Sequence, residues 1–271
     1  VLELQEFIQP GGVVVLSGAG MSTASGIPDY RGPNGAFSRG HKPMTYQEFL
    51  RNDEDRRRYW ARSHVGWVAF ARARPNAAHV GVAELEQAGL VHGVITQNVD
   101  GLHQQAGSRS VIDLHGRLDR VICLDCGSSE DRHRVHDRLT AANPHFSAQV
   151  DVINPDGDTD ISAEQLSEFQ VVACRECGGR LKPDVVYFGE NVPPERVRNC
   201  YSLIDHARTL LVLGSSLTVY SGRRFVEYAK RQDCAVVIVN LGPTKCDEVA
   251  DLRIHADVVD VVSSMAPSCA P

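Results

Sequence analysis

"VVVLSGAGMSTASGIPDYRG", Val13 to Gly32, decides the fold. The apolar run Val13–Leu16 has the length and β-branched content of a strand buried on both faces of a parallel sheet. A glycine turn follows at Gly18–Gly20, the usual place to hold a phosphate. Beyond it, Ile27-Pro28-Asp29-Tyr30-Arg31-Gly32 cannot be a long regular helix, and the GxGxxG fingerprint is absent.

Working outward, short β-branched runs recur at Gly12–Ser17, Val91–Thr96, Leu210–Gly214 and Ala235–Asn240, with Asp184–Tyr187 and Asp257–Val262 as further strand candidates. Ala77–Ala88, Pro194–Arg208 and Ser221–Arg231 read as helices between them. The alternation predicts an α/β fold, a doubly wound Rossmann-like parallel sheet with ligands at the carboxyl ends of its strands. Besides Gly18–Gly20, polar or glycine-bearing exits stand at Thr96–Gly107, Gly214–Leu217 and Val239–Gly242, enough for an extended cofactor crevice.

Two segments break this rhythm. Residues 31–74 are Arg-rich and aromatic, with helical stretches around Thr45–Leu50 and Asp53–Phe70, and read as an inserted helical lid. Residues 120–180 are bounded by cysteine pairs and carry the turn-forming "NPDGDTD", Asn154–Asp160. The chain is therefore expected to be one domain. Its large lobe would comprise 1–30, 75–119 and 181–271, and its smaller part the lid and a four-cysteine zinc module.

With 271 residues, a formal charge of −6 and no apolar run approaching the roughly 20 residues of a membrane span, a soluble protein is expected, with neither membrane nor nucleic acid as partner. A monomer is expected. Cys123-x-x-Cys126 and Cys174-x-x-Cys177 supply four thiolates for a closed tetrahedral zinc site, a redox pair being the alternative. His133, His136 and His145 then read as solvated, and Cys200, Cys234, Cys246 and Cys269 as ordinary thiols. This cysteine usage suits a reducing compartment, the cytoplasm, or the mitochondrial matrix if a targeting segment has been removed. His115, in "DLHGRLDR", lies where a strand should end; it is either a structural hydrogen bonder or a general base, with Asn98 and Asp100 nearby.

Taken in order, "GAGMSTASGIPDYRG", "TQNVDGLHQQAGS", "LHG", the two Cys-x-x-Cys pairs, "KPDVVYFGE", "GSSL" and "VNLG" resemble the sirtuins, the NAD-dependent protein lysine deacylases. "RRRYWARSHVGW" (Arg56–Trp67), "PDGD" (Pro155–Asp158) and "GPT" (Gly242–Thr244) resemble the class II branch, which includes a mitochondrial animal member and bacterial relatives. The resemblance implies NAD and Zn2+ as cofactors and acyl-lysine proteins or peptides as substrates.

By the same resemblance, Gly18, Ala19, Gly20 and Thr23 would lie around the NAD phosphates, and Asp29, Tyr30 and Arg31 in a mobile loop closing over the nicotinamide ribose. Ile27, Gln97, Asn98 and Asp100 would line the nicotinamide pocket. Gly214, Ser215 and Ser216 would meet phosphate or ribose, and Asn240, Leu241, Gly242 and Val258 the adenosine end. Nicotinamide would leave as the acyl oxygen attacks the ribose, and His115, with Asn98 and Asp100, would then serve catalysis as general base on a ribose hydroxyl. The products would be free lysine and acyl-ADP-ribose. Zinc would be structural.

"KPDVVYFGE" would offer Val186, Phe188, Gly189 and Glu190 to the substrate peptide by β-augmentation. Tyr59-x-x-Arg62 resembles the pair with which sirtuins selective for acidic acyl chains hold a distal carboxylate, so a glutaryl-like acyl group is expected over plain acetyl. Tyr30 departs from the usual Phe. Two alternatives use the same NAD site: a protein ADP-ribosyltransferase and a non-catalytic NAD-binding scaffold.

Overall fold

The computed structural model describes residues 2–146, 153–159, 161 and 166–265. The apolar run Val13–Leu16 lies in strand β1 (Val13–Ser17), wholly buried, at the centre of a six-stranded sheet. Its neighbours are β2 (Val91–Thr96), β3 (Val111–Asp113), β7 (Thr209–Leu213), β8 (Ala235–Val239) and β9 (Leu252–Ile254), in the order β3-β2-β1-β7-β8-β9 with every pairing parallel. The direction of winding reverses between β1 and β7. That places the topological switch point, where a doubly wound sheet opens a crevice, beside the glycine turn.

Alternation along the central strands explains why both faces are covered. Val13, Val15, Leu211, Leu213, Val237 and Val239 face one layer, which contains helix α1 (Leu2–Ile8), α4 (Ala77–Gln87) and α9 (Val258–Ser263). Val14, Leu16, Leu210, Val212, Val236 and Ile238 face the other, under α7 (Pro194–Asp205) and α8 (Tyr220–Arg231). Each such side chain contributes about 1.5–3 kcal/mol by leaving water. Asn76 caps α4 and also donates to Met21 O (2.9 Å) and Ser25 Oγ (3.0 Å), tying this helix to the turn after β1.

The smaller part contains a three-stranded antiparallel sheet, β4 (Gly116–Cys123), β5 (Ser129–Asp131) and β6 (Leu181–Val185), in the order β5-β4-β6. Against it lie α2 (Tyr46–Arg51), α3 (Asp53–Phe70) and α6 (Arg132–Ala142). Thr45 and Glu48 form a capping box on α2, and Asn52 caps α3, so the lid helices start where their own polar residues allow. Arg132 is fully buried with its guanidinium over Trp60 and Trp67, 5.1 Å from each ring centroid. α5 (Leu102–Gln105) completes the helices used below.

The sequence expectations need correcting at three places. Asp257–Val262 forms most of a helix: Asp257 accepts from Val259 N, and Val258, Val261 and Val262 are buried at helical spacing. Gly116, Arg117 and residues 181–185, expected in the large lobe, pair in the small sheet. His136 is no solvated residue either, because its ring stacks on His64 at 4.3 Å. Cys269 and Asp160 lie outside the described residues.

Candidate functional site

The β1 and β7 exits meet through glycine. A Cβ on Gly18 would lie 2.7 Å from Ser215 Cβ, one on Gly20 would lie 2.9 Å from Gly214 Cα, and one on Gly214 would lie 2.5 Å from Met21 N. Gly214 also has φ +62. Gly20 N donates to Gly214 O at 2.8 Å, so Gly18–Gly20 and Gly214–Ser216 form one backbone cradle at the switch point. Gly18 N and Gly214 N also donate within the protein, to Leu213 O and Val239 O, so a phosphate at this strand exit would be met by the other groups of the two turns. In place of one long helix, two short 3-10 turns, Ala19–Met21 and Thr23–Ser25, carry the chain to Ile27.

The expected cofactor loop is folded on itself. Asp29 Oδ1 accepts from Gly32 N at 2.7 Å, and Tyr30 O accepts from Phe37 N at 3.0 Å. Tyr30, Phe37 and Phe188 pack as an aromatic trio, with centroids 5.3, 5.8 and 6.1 Å apart. Arg31 lies over Phe37. This joins the loop to the segment expected to carry the peptide.

At the β2 exit the side chains form a network. Gln97 Nε2 reaches Ser215 Oγ at 2.8 Å, and Asn98 Nδ2 reaches Gly18 O and Ser22 Oγ, both at 3.0 Å. Ser22 Oγ donates to Asp100 Oδ2 at 2.7 Å, and Leu102 N donates to Asp100 Oδ1 at 2.9 Å. Burial pushes the Asp100 carboxyl up, against the pull of those two hydrogen bonds. Ser22 was not singled out in the sequence; its only signal is its place in the same glycine turn.

His115 lies in the turn between β3 and β4. Its Nδ1 is 2.9 Å from Gln97 O and its Nε2 is 2.8 Å from Ser221 Oγ. Its carbonyl accepts from Val186 N at 2.8 Å, which ties the candidate base to the candidate peptide edge. Gly116, with φ +81, makes the turn possible, since a Cβ there would lie 1.9 Å from Asp184 O. Burial lowers the imidazole to about 4, with Arg196 and Arg224 adding to the effect and the Gln97 carbonyl opposing it.

The remaining expected contacts are more scattered. Asn240 bonds Gly242 O through Nδ2, Leu241 is exposed, and the Val258 side chain is in the hydrophobic core. Phe188 O accepts from Tyr46 N, Gly189 O accepts from Gln47 Nε2, and Glu190 pairs with the buried Lys182 at 3.0 Å. Thus much of the 186–190 main chain is already engaged.

Tyr59 and Arg62 line a cavity of about 230 Å³ together with Lys42, Pro43, Met44, Glu48, Arg58 and Asp158. Arg62 Nε lies 3.0 Å from Asp158 Oδ2, and His41 Nε2 lies 3.5 Å from Asp156 Oδ2. Burial and the neighbouring Asp156 push the Asp158 carboxyl up to about 7, while Arg62 holds it down. α3 approaches this turn at Gly66, where a Cβ would lie 2.5 Å from Gly157 O. The sequence shows the turn but not its arginine partner, more than a helix away along the chain.

The Sγ atoms of Cys123, Cys126, Cys174 and Cys177 all lie within 4.8 Å of one another, with Cys123–Cys177 at 3.5 Å and Cys126–Cys174 at 3.8 Å. Tetrahedral zinc with Zn–S bonds of about 2.3 Å requires sulfur separations of about 3.8 Å, so the four thiols fit the ion.

Three comparisons agree with this geometry. The sequence profile of the Sir2 family matches residues 18–221. The chain is 56% identical over 96% of its length, and 86% of the relative's, to NAD-dependent protein deacetylase 1 of Streptomyces coelicolor. It is 43% identical over 98% of its length, and 86% of the relative's, to the human mitochondrial NAD-dependent protein lipoamidase sirtuin-4. A solved complex of Sir2 with p53 peptide and NAD+ superposes with a TM-score of 0.76 at 34% identity, covering 97% of this chain and 95% of that one.

Proposed function

The chain belongs to the Sir2 family, and from that premise we propose that it is an NAD-dependent protein lysine deacylase with His115 as general base. One observation carries the reading: the imidazole is held by Gln97 O beside the Asn98–Ser22–Asp100 network, while its own carbonyl holds Val186 N. Base, cofactor crevice and peptide edge thereby adjoin.

NAD would supply a ribose carbon that loses nicotinamide and receives the acyl oxygen. The Gly18–Gly20 and Gly214–Ser216 cradle would hold its phosphates through main-chain groups. Asp100, fixed by Ser22 and Leu102 N, would hold the carboxamide of the departing nicotinamide and favour its release. Nε2 of His115 would then take the proton of a ribose hydroxyl, a role for which the neutral ring is required. The four-cysteine site would keep the small sheet intact, away from this chemistry.

For the acyl group, the reading is a chain ending in a carboxylate, glutaryl-like, received by Arg62 and Tyr59. Its support is the cavity that both residues line, where Lys42, Arg58 and Arg62 outnumber Glu48 and Asp158. A panel of acetyl, succinyl, glutaryl and methylglutaryl-type peptides, run with wild type and Arg62→Ala, tests it. The glutaryl peptide is expected to be favoured by wild type and to lose that advantage in the variant, with acyl-ADP-ribose as product. A glutaryl preference that survives the substitution contradicts the assignment.

A further inference from the structure

We infer that Ser221 is a positioning residue for His115: its hydroxyl donates to Nε2 and holds the ring neutral, in one tautomer and in one orientation, until a ribose hydroxyl takes over that lone pair. The inference rests on the reading of His115 as the base.

The tautomer follows from the partners. Nδ1 lies 2.9 Å from the Gln97 carbonyl, and a carbonyl only accepts, so Nδ1 carries the hydrogen. In the neutral ring Nε2 is then an acceptor, and the Ser221 hydroxyl at 2.8 Å must be the donor. Carbonyl, imidazole and hydroxyl form a line that grips the ring at both nitrogens.

The fold is built to bring that hydroxyl in. Ser221 is in the first turn of α8, and the next residue, Gly222, faces Gln97. A Cβ on Gly222 would lie 2.5 Å from Gln97 Oε1, so a larger residue there would push the Gln97 amide out of its place. Gln97 also reaches Ser215 Oγ, and the β2 exit, the β7 exit and the start of α8 become one frame around the imidazole.

The charged groups facing the ring are Arg196 from α7 and Arg224 from α8, both of which disfavour the imidazolium, as does burial. A donor to Nε2 acts in the same direction because it stabilises the neutral form. Removing the hydroxyl should therefore raise the pKa of the base and loosen its aim. In the reaction the ribose hydroxyl would give its proton to Nε2 as its oxygen bonds to the acyl carbon, and Ser221 would keep its own proton. Nicotinamide departure would precede this step and would need no base, so the two stages separate the role of Ser221 from general damage.

The experiment uses the zinc-loaded enzyme, NAD and the best acyl peptide of the panel, with wild type, Ser221→Ala, Ser221→Thr and His115→Ala. Two readouts are followed: the pH profile of kcat/KM for acyl-ADP-ribose formation, and exchange of labelled nicotinamide into NAD. Ser221→Ala is expected to move the acid limb upward by roughly half to one pH unit and to slow deacylation while exchange persists. Ser221→Thr should restore both. An unmoved acid limb, or an equal loss of exchange and deacylation, overturns the inference while leaving His115 as base. If His115→Ala deacylates like wild type, the reading of the base and the inference fall together.

Discussion

Arg62 Nε lies 3.0 Å from Asp158 Oδ2, so the guanidinium expected to receive a substrate carboxylate already holds one supplied by the chain. An acidic acyl group would have to compete with that side chain. Asp158→Asn removes the competing charge and keeps the side chain's shape. The ratio of glutaryl to acetyl kcat/KM should rise by about 10-fold, corresponding to about 1.4 kcal/mol. An unchanged ratio in parallel peptide assays would show that Arg62 does not read the acyl terminus.

The glycine cradle makes a paired prediction. Gly214→Ala adds a Cβ 2.5 Å from Met21 N at φ +62, whereas Gly26→Ala adds one at φ +84 with nothing within 4 Å. The first should cost about 2–4 kcal/mol from overlap plus strain, and the second about 1–2 kcal/mol from strain alone. Denaturant unfolding measures both; equal costs would mean that the two strand exits do not interlock. Calorimetry on Gly214→Ala should also find weakened NAD uptake.

Metal removal gives a third test. The four thiols should bind about one zinc per chain, and chelation or Cys174→Ser should release it and destabilise the small sheet, in which Cys123 and Leu181 pair. Metal analysis beside circular dichroism reads both effects. Full stability after complete loss of metal would argue against a structural ion.

Acid should unfold the protein partly through His79 and His103, whose rings lie 5.0 Å apart. Burial lowers His103 to about 3 and His79 to about 4. The unfolded chain, titrating near 6.5, binds more protons between those values and pH 6.5. Stability is thus fully present above pH 6.5 and lost as pH falls, with a slope of up to about 1.4 kcal/mol per pH unit for each ring. His103→Gln should flatten the profile of unfolding free energy between about pH 4.5 and 6.5 by one proton. Parallel profiles for variant and wild type would rule this source out.

The central strands were legible because their apolar runs are covered on both faces, and the lid helices begin close to where they were expected, with Thr45 and Asn52 as their caps. Asp257–Val262 misled because its valines mimic a strand, while a side-chain cap on Val259 N sets a helix. Strands β3 and β9, three residues each, are too short to carry a periodic signal. Gly18, Asn98, Asp100 and His115 could be picked from motifs, and the network around them joins all four regions. Ser22, Ser221 and the pairing of Asp158 with Arg62 escaped notice because their meaning lies in partners distant along the chain, which local pattern does not encode.

The most direct measurement is mass spectrometry of an acyl-lysine peptide incubated with NAD and either wild type or His115→Ala. The account predicts that wild type yields free lysine peptide, nicotinamide and acyl-ADP-ribose in equal amounts, and that the variant binds NAD but loses peptide turnover by about 100-fold or more. Undiminished turnover by His115→Ala, or ADP-ribosylated protein with no acyl-ADP-ribose from wild type, would contradict it.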